Sequence, residues 1–181
     1  MEGRVTLREV DEETLRALLA VAVRDADPGE VMPPVAGPPG WTPRRRAAFL
    51  AWHRARRAGP AGPLAEMTFA VTRDGEVVGS ARLARRGERG EWETGLWLAR
   101  SWRGRGVGGA ALGAILVEAT RVGARVVRAD TTARNAAAVA VLRRSGATFS
   151  DGRVAGEVHA ELPPADAAPG GEATRGGDSG G

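Results

Sequence analysis

One stretch constrains this chain more than any other. From Glu93 to Leu116 it reads as a strand, a short basic connector, a glycine-rich turn and a helix. Leu96, Trp97 and Leu98 suit a buried strand. Gly104, Gly106, Gly108 and Gly109 let the backbone take positive φ or pass close to a ligand. Leu112, Ile115, Leu116 and Ala119 then recur at the spacing of one helix face. A helix starting near Gly106 aims free backbone N–H groups at whatever precedes it, and the macrodipole favours an anion there. Arg100, Arg103 and Arg105 add full positive charges. The stretch therefore reads as a diphosphate cradle.

Three kinds of diphosphate site compete for it. Gly104, Gly106 and Gly109 match the dinucleotide fingerprint G-x-G-x-x-G, and Asp130 stands where a ribose-binding acid belongs. Residues Ala99 to Arg103 separate those glycines from the strand, however, and only about thirty foldable residues follow Asp130, too few for the rest of a doubly wound sheet. A P-loop needs lysine, and the chain has none.

The third kind fits. Arg103-Gly104-Arg105-Gly106-Val107-Gly108 resembles the Gln/Arg-x-x-Gly-x-Gly/Ala signature with which the GNAT superfamily of N-acetyltransferases binds the pyrophosphate of acetyl-CoA. Asn135 to Ala147 resembles that family's Asn-x-x-Ala-x-x-Val-Leu-x-x-x-Gly-Phe segment, and Glu93 to Leu98 resembles its Glu-Ile-Gly-Tyr-Trp-Leu strand. Both point to the branch that includes the ribosomal-protein N-terminal acetyltransferases. The resemblance is specific over 91–150 and rests on element order over 4–90. It implies an α/β (α+β) fold: a mixed, mostly antiparallel sheet of six to seven strands, a central parallel pair splayed at the cofactor site, and helices on both faces. It implies acetyl-CoA as co-substrate, held by Trp97, Leu98, Arg103, Gly104, Arg105, Gly106, Val107, Gly108, Gly109 and Asn135. Asn135 also reads as a helix N-cap.

The implied reaction is direct attack of a primary amine on the thioester. A lysine-like amine of pKa ~10.4 needs strong help from a base, whereas an α-amine near 7.7–8 needs little. Glu93 is the foremost base candidate, since some family members carry a catalytic Glu on the corresponding strand; a structural carboxylate is its plain alternative. His53 is second. The family's usual tyrosine acid is replaced by Leu142, and the chain holds no Tyr; the leaving thiolate then takes its proton from solvent or from the attacking ammonium.

The connector after the first helix carries Asp25, Asp27 and Glu30 ahead of Trp41. Carboxylates beside an aromatic wall suit a small cationic amine such as an aminoglycoside-type antibiotic, which would make the enzyme one of resistance or self-protection. The rival acceptor is the N-terminal α-amine of a protein or peptide. A rival of another class is a non-catalytic module binding CoA, RNA or a partner.

Composition narrows the rest. There is no Cys, and His53 and His159 are the only histidines, so disulfides are excluded and no metal site is expected. Net charge is only +4, and every basic residue is Arg; the very high isoelectric point reflects arginine holding its charge rather than a nucleic-acid surface. Arg44, Arg45, Arg46, Arg54, Arg56 and Arg57 read as a solvated helix face, so nucleic acid is disfavoured as a partner. No apolar run approaches the roughly eighteen residues of a membrane span, and the N-terminus lacks a signal-peptide core, so no membrane association and a cytoplasmic location are expected. A homodimer is left open.

Along the chain, Arg4–Arg8 reads as a strand and Asp11 as the cap of a helix. Thr42-Pro43 starts a second helix. Strands at Met67–Val71 and Val77–Leu83 flank an Asp74-Gly75 turn. Val126–Thr131 should lie parallel to the Glu93 strand, 135–145 is helical, and Ala147–Phe149 with Val154–Leu162 form a last hairpin around Asp151-Gly152. Residues 1–162 are expected to form the catalytic domain and 163–181, poor in apolar bulk, a disordered tail.

Overall fold

Alternating apolar residues build β1 (Val5–Glu9). Asp11 caps α1 (Glu12–Asp25) by accepting from the Thr14 amide at 2.7 Å, and Leu15, Leu18 and Ala22 form the buried face of that helix. In the computed structural model, which describes residues 3–87, 89–152 and 154–165, the connector after α1 holds a single helical turn, α2 (Pro28–Val31). Its prolines forbid more. Thr42 caps α3 (Pro43–Arg54), with proline at the first helical position.

A hairpin of β2 (Glu66–Arg73) and β3 (Glu76–Arg85) follows. Its turn has φ of 51° at Asp74 and 86° at Gly75, the two left-handed residues of a type I′ geometry. Next comes β4 (Glu91–Leu98), then a short 3-10 turn (Arg100–Trp102), α4 (Val107–Arg121) and β5 (Val126–Thr132). The chain closes with α5 (Ala136–Arg144), β6 (Thr148–Asp151) and β7 (Glu157–Leu162).

The strands form one seven-stranded sheet in the order β1-β2-β3-β4-β5-β7-β6. Only β4 and β5 run parallel; every other neighbouring pair is antiparallel. One face carries α4 and α5, whose Val107, Leu112, Ile115 and Leu142 pack on Val71, Leu83, Trp92 and Val127. The other carries α1 and α3, packed through Leu15, Leu18 and Phe49 on Ala70 and Val77. Each such side chain contributes about 1.5–3 kcal/mol relative to its exposed state. The expected fold is therefore present, with seven strands, one parallel central pair and helices on both faces.

Two boundaries differ from expectation. The last hairpin does not turn tightly at Asp151-Gly152: a wider loop, closed by the Gly152 amide on the Glu157 carbonyl at 3.0 Å, delays the return strand to Glu157 and leaves Val154 exposed. The chain also stays packed past Leu162, where Thr120 Oγ1 donates to the Ala165 carbonyl at 2.6 Å. The remainder of the expected tail, 166–181, lies outside the described residues. Among the described residues no helix is long and apolar enough to cross a membrane.

Candidate active site

The parallel pair is short. β4 bonds β5 only from Glu91↔Val126 to Thr94↔Ala129. Beyond that point β4 continues to Leu98 along β3, and β5 continues to Thr132 along β7. The two strands part, opening a fork in the middle of the sheet. Strands send alternate backbone groups to opposite sides, so those of Gly95–Leu98 that face away from β3 have no strand partner. The result is a slot bordered by main-chain donors and acceptors that have no strand partner.

The basic, glycine-rich loop closes the mouth of this slot. Gly104 and Gly106 have φ of 74° and 78°, and a Cβ on either would meet nothing within 4 Å. These glycines serve backbone conformation, and the space beside them is open. Gly106 caps α4 with no side-chain hydrogen bond, and the first helical bond runs from the Ala110 amide to the Gly106 carbonyl at 3.2 Å. The amides of Val107, Gly108 and Gly109 are left pointing out of the helix. A Cβ at Gly108 would lie 3.6 Å from Val141 and 3.8 Å from Leu98, which fixes the start of α4 between α5 and β4.

Three arginines precede these amides in the loop. Arg103 Nε donates to the Leu98 carbonyl at 3.0 Å, while its Nη2 reaches Glu30 at 3.2 Å. Arg105 lies over the Trp102 ring at 5.3 Å, with Arg73 over the same ring at 5.7 Å and donating to the Arg105 carbonyl at 3.3 Å. Arg100 faces Glu30 at 3.5 Å and Asp27 at 3.9 Å. Leu98 is buried in the core beside α4, and Trp97 packs half-buried on the opposite face. Asn135 accepts from the Ala138 amide at 3.1 Å, so its side-chain oxygen caps α5.

The residues expected to capture a cationic acceptor contact the protein itself. Asp25 accepts from the amide and hydroxyl of Ser101 at 2.9 and 2.5 Å, and those bonds lower its pKa. Burial pushes the Glu30 carboxyl up, but Arg103, the Asp27 amide and the Arg100 charge outweigh it and leave the net shift downward. Trp41 donates from its indole to the Ala26 carbonyl at 3.0 Å and meets Phe49 edge-on at 5.7 Å. Together these contacts fasten the α1–α3 connector to the loop after β4.

Glu93 also sits differently from a free base. Arg82 bonds its Oε1, and Arg86 Nε bonds its Oε2 at 2.8 Å. Burial raises its pKa, yet the bond from Arg86 and the charges of Arg82 and Arg86 bring the net shift below the ordinary range. A carboxylate so held is a weak proton acceptor. Its neighbour in the network, Glu66, is buried and contacts Arg56 at 2.5 Å, Arg82 at 3.1 Å and Arg86 at 3.3 Å. Sequence reading missed this cluster, although the hairpin register places Glu66, Thr68, Arg82 and Ala84 on one face. His53 is fully buried, with Nδ1 3.1 Å from Thr68 Oγ1, and burial with the Arg56 and Arg57 charges pushes its pKa down to about 3.

Several arginines of α3 and its end bond to protein groups. Arg45 donates to the carbonyls of Val35, Gly37, Pro38 and Gly40, Arg54 and Arg57 grip Glu12, and Arg56 stacks 3.9 Å over Trp52. Among the described residues there is no group of three or more His, Asp or Glu placed to hold a metal.

A mixed sheet whose central parallel pair parts above a glycine-rich helix start is the GNAT acetyltransferase fold. The family model for the acetyltransferase (GNAT) domain matches residues 4–148, and the chain belongs to this family. It is an N-acetyltransferase. Among solved structures it resembles RimJ of Mycobacterium smegmatis in complex with CoA-disulfide (23% identity, TM-score 0.71, covering 90% of this chain and 83% of that one). It also resembles yncA of Salmonella typhimurium with acetyl-CoA, a putative acetyltransferase by its name (21%, 0.64, 91% and 96%). A third neighbour is RimL, a ribosomal L7/L12 α-N-protein acetyltransferase in complex with CoA (18%, 0.67, 88% and 93%). Among curated proteins no sequence match is found.

Proposed function

We propose that this enzyme transfers an acetyl group from acetyl-CoA to the α-amine of a peptide or protein N-terminus. The forked slot carries the reading. Residues Arg103 to Gly109 offer outward amides and arginines suited to the diphosphate, and the edge of Gly95–Leu98 that has no strand partner suits a pantetheine arm with its own amides. The bound thioester would supply the activated acetyl group. Trp97 and Leu98 would wall the slot, and the Asn135 cap would hold the start of α5 beside it.

The acceptor follows from charge. A polycationic amino sugar needs uncommitted carboxylates, and those of the connector are bonded to Ser101, Arg100 and Arg103. An α-amine titrates near 7.7–8 and needs only modest help to become neutral. Likeness to RimL, whose name specifies an α-N-protein substrate, supports the same choice.

A thiol-release assay with acetyl-CoA tests the reading against short free-N-terminus peptides, aminoglycosides and polyamines. Turnover on peptides is expected. Turnover confined to aminoglycosides would overturn the acceptor and restore a resistance role. The double variant Arg103→Ala, Gly106→Trp should weaken CoA binding about 100-fold or more, because it removes a charged donor and fills the open space before α4. Unchanged CoA affinity in a folded double variant would show the cradle to be misplaced.

A further inference from the structure

The helix α1–α3 layer stops at β4. On that same face the outer strands present Arg128, Asp130, Thr148, Ser150 and Glu161 to solvent, with His159 half-buried among them. Asp130 is the first β5 residue beyond the last pair with β4, Thr94↔Ala129, so it stands where the fork opens. His159 lies directly opposite it on β7. Its Nδ1 is 2.5 Å from Asp130 Oδ1. A carboxylate oxygen at this place accepts from an Nδ1–H, the tautomer that leaves Nε2 with the lone pair. Among the described residues Asp130 is the only side-chain partner of His159.

An exposed histidine–carboxylate contact by itself contributes little and needs no function. Place and orientation distinguish this one. It sits one strand, about 5 Å, from the strand that borders the slot. Its face is the one the helices leave open, so an acceptor can reach it. The other two base candidates are closed off: Glu93 is gripped by Arg82 and Arg86, and His53 is buried. Asp130 holds the imidazole in one tautomer, the arrangement that equips a histidine to take a proton.

We propose that His159 is the general base of acetyl transfer, with Asp130 as its positioning residue. The proposal rests on the reading of the β4–β5 fork as the acetyl-CoA slot. An ammonium proton of the acceptor passes to His159 Nε2, directly or through one water. The nitrogen lone pair then forms the N–C bond to the thioester carbonyl carbon. The C–S bond breaks with its electron pair on sulfur. The second amine proton neutralises the thiolate through solvent, and the imidazolium returns its proton to water. Products are the amide, the CoA thiol and one released proton, with no change in oxidation state.

The test uses the full chain, acetyl-CoA and a short peptide with a free N-terminal alanine. His159→Ala should lower kcat about 100-fold or more, while the thermal shift given by acetyl-CoA and the KM for acetyl-CoA stay within about threefold, since no cradle residue is touched. Added imidazole should restore part of the kcat of His159→Ala, and none of that of Asp130→Asn, which keeps its ring. Asp130→Asn should lose about tenfold in kcat at unchanged KM. A kcat within threefold of wild type in His159→Ala, or a loss that imidazole does not relieve, overturns the proposal and leaves the acetyltransferase reading standing. A wild-type protein that releases no thiol with this peptide or with the amines of the panel overturns both.

Discussion

Two arginine clusters flank β4, one at each end, and they behave in opposite ways. At the start of the strand, Arg82 and Arg86 close on Glu93 and Glu66, and Arg56 joins from the turn after α3. Carboxylates face guanidiniums in bonded geometry, and Glu66 has a side chain only 7% exposed. At the end of the strand, Arg100, Arg103 and Arg105 lie in the loop that leads into α4, and Glu30 reaches two of them. Each cluster sets three arginines against two carboxylates, so charge count does not distinguish them. The first is the more buried, with the Arg56 and Arg82 side chains 14% and 22% exposed, and it ties the turn after α3 to the β2–β4 sheet. In the second, Arg100 and Arg103 are 53% and 43% exposed and lie beside open space. Arginine content alone does not separate a clamp from a binding site; the burial of the guanidiniums does.

Breaking the clamp should give the largest effect. Glu66→Ala leaves Arg56, Arg82 and Arg86 facing one another without their shared carboxylate, and removal of one partner from such a buried group costs about 3 kcal/mol. Chemical denaturation should show that loss, and CoA affinity of the folded variant should be unchanged. A stable Glu66→Ala protein with weakened CoA binding would reverse the roles of the two clusters.

Glu93→Gln sharpens the same contrast at smaller cost. It should remove about 1 kcal/mol of stability at neutral pH and change kcat less than fivefold. The sign of its pH dependence is fixed by direction: the folded pKa of Glu93 lies below the unfolded value, so its contribution is complete above the ordinary glutamate range and is lost as pH falls through the lower, folded value. The stability gap between wild type and variant should therefore narrow in acid. A kcat loss of 100-fold would reinstate Glu93 as the base.

The clusters were unequally legible. The cradle is contiguous from Arg103 to Gly109, and its spacing shows in the residue string. Local devices were legible too: the Asp11 and Asn135 caps each bond three residues on, and Asp74-Gly75 forms its own turn. The protein partners of the connector carboxylates were not legible because they lie far along the chain, Asp25 at 76 residues from Ser101 and Glu30 at 73 from Arg103. Nothing local announces such pairs. The Glu66–Arg82 contact spans 16 residues and follows from the hairpin register, so it could have been derived. Asp130 and His159, 29 residues apart, meet only because β7 inserts between β5 and β6.

The smallest expected effect tests how the cradle and the connector communicate. Glu30 is bonded to Arg103 and faces Arg100, two of the three cations in or beside the loop that would receive the diphosphate. An arriving diphosphate competes with Glu30 for them, because each guanidinium has a limited set of donors. Glu30→Gln removes the competing charge while keeping the shape and one hydrogen-bond acceptor. CoA binding should tighten two- to fivefold, with most of the gain at low salt, where exposed charges are least screened. The same change loosens α2 from the cradle, so KM for the peptide should rise if α2 borders the acceptor. Calorimetry at two ionic strengths reads the first effect and steady-state kinetics the second. Weaker CoA binding in Glu30→Gln would mean that Glu30 orders Arg103 for the ligand rather than competing with it, and the cradle would then resemble the clamp at the other end of β4 in needing its carboxylate.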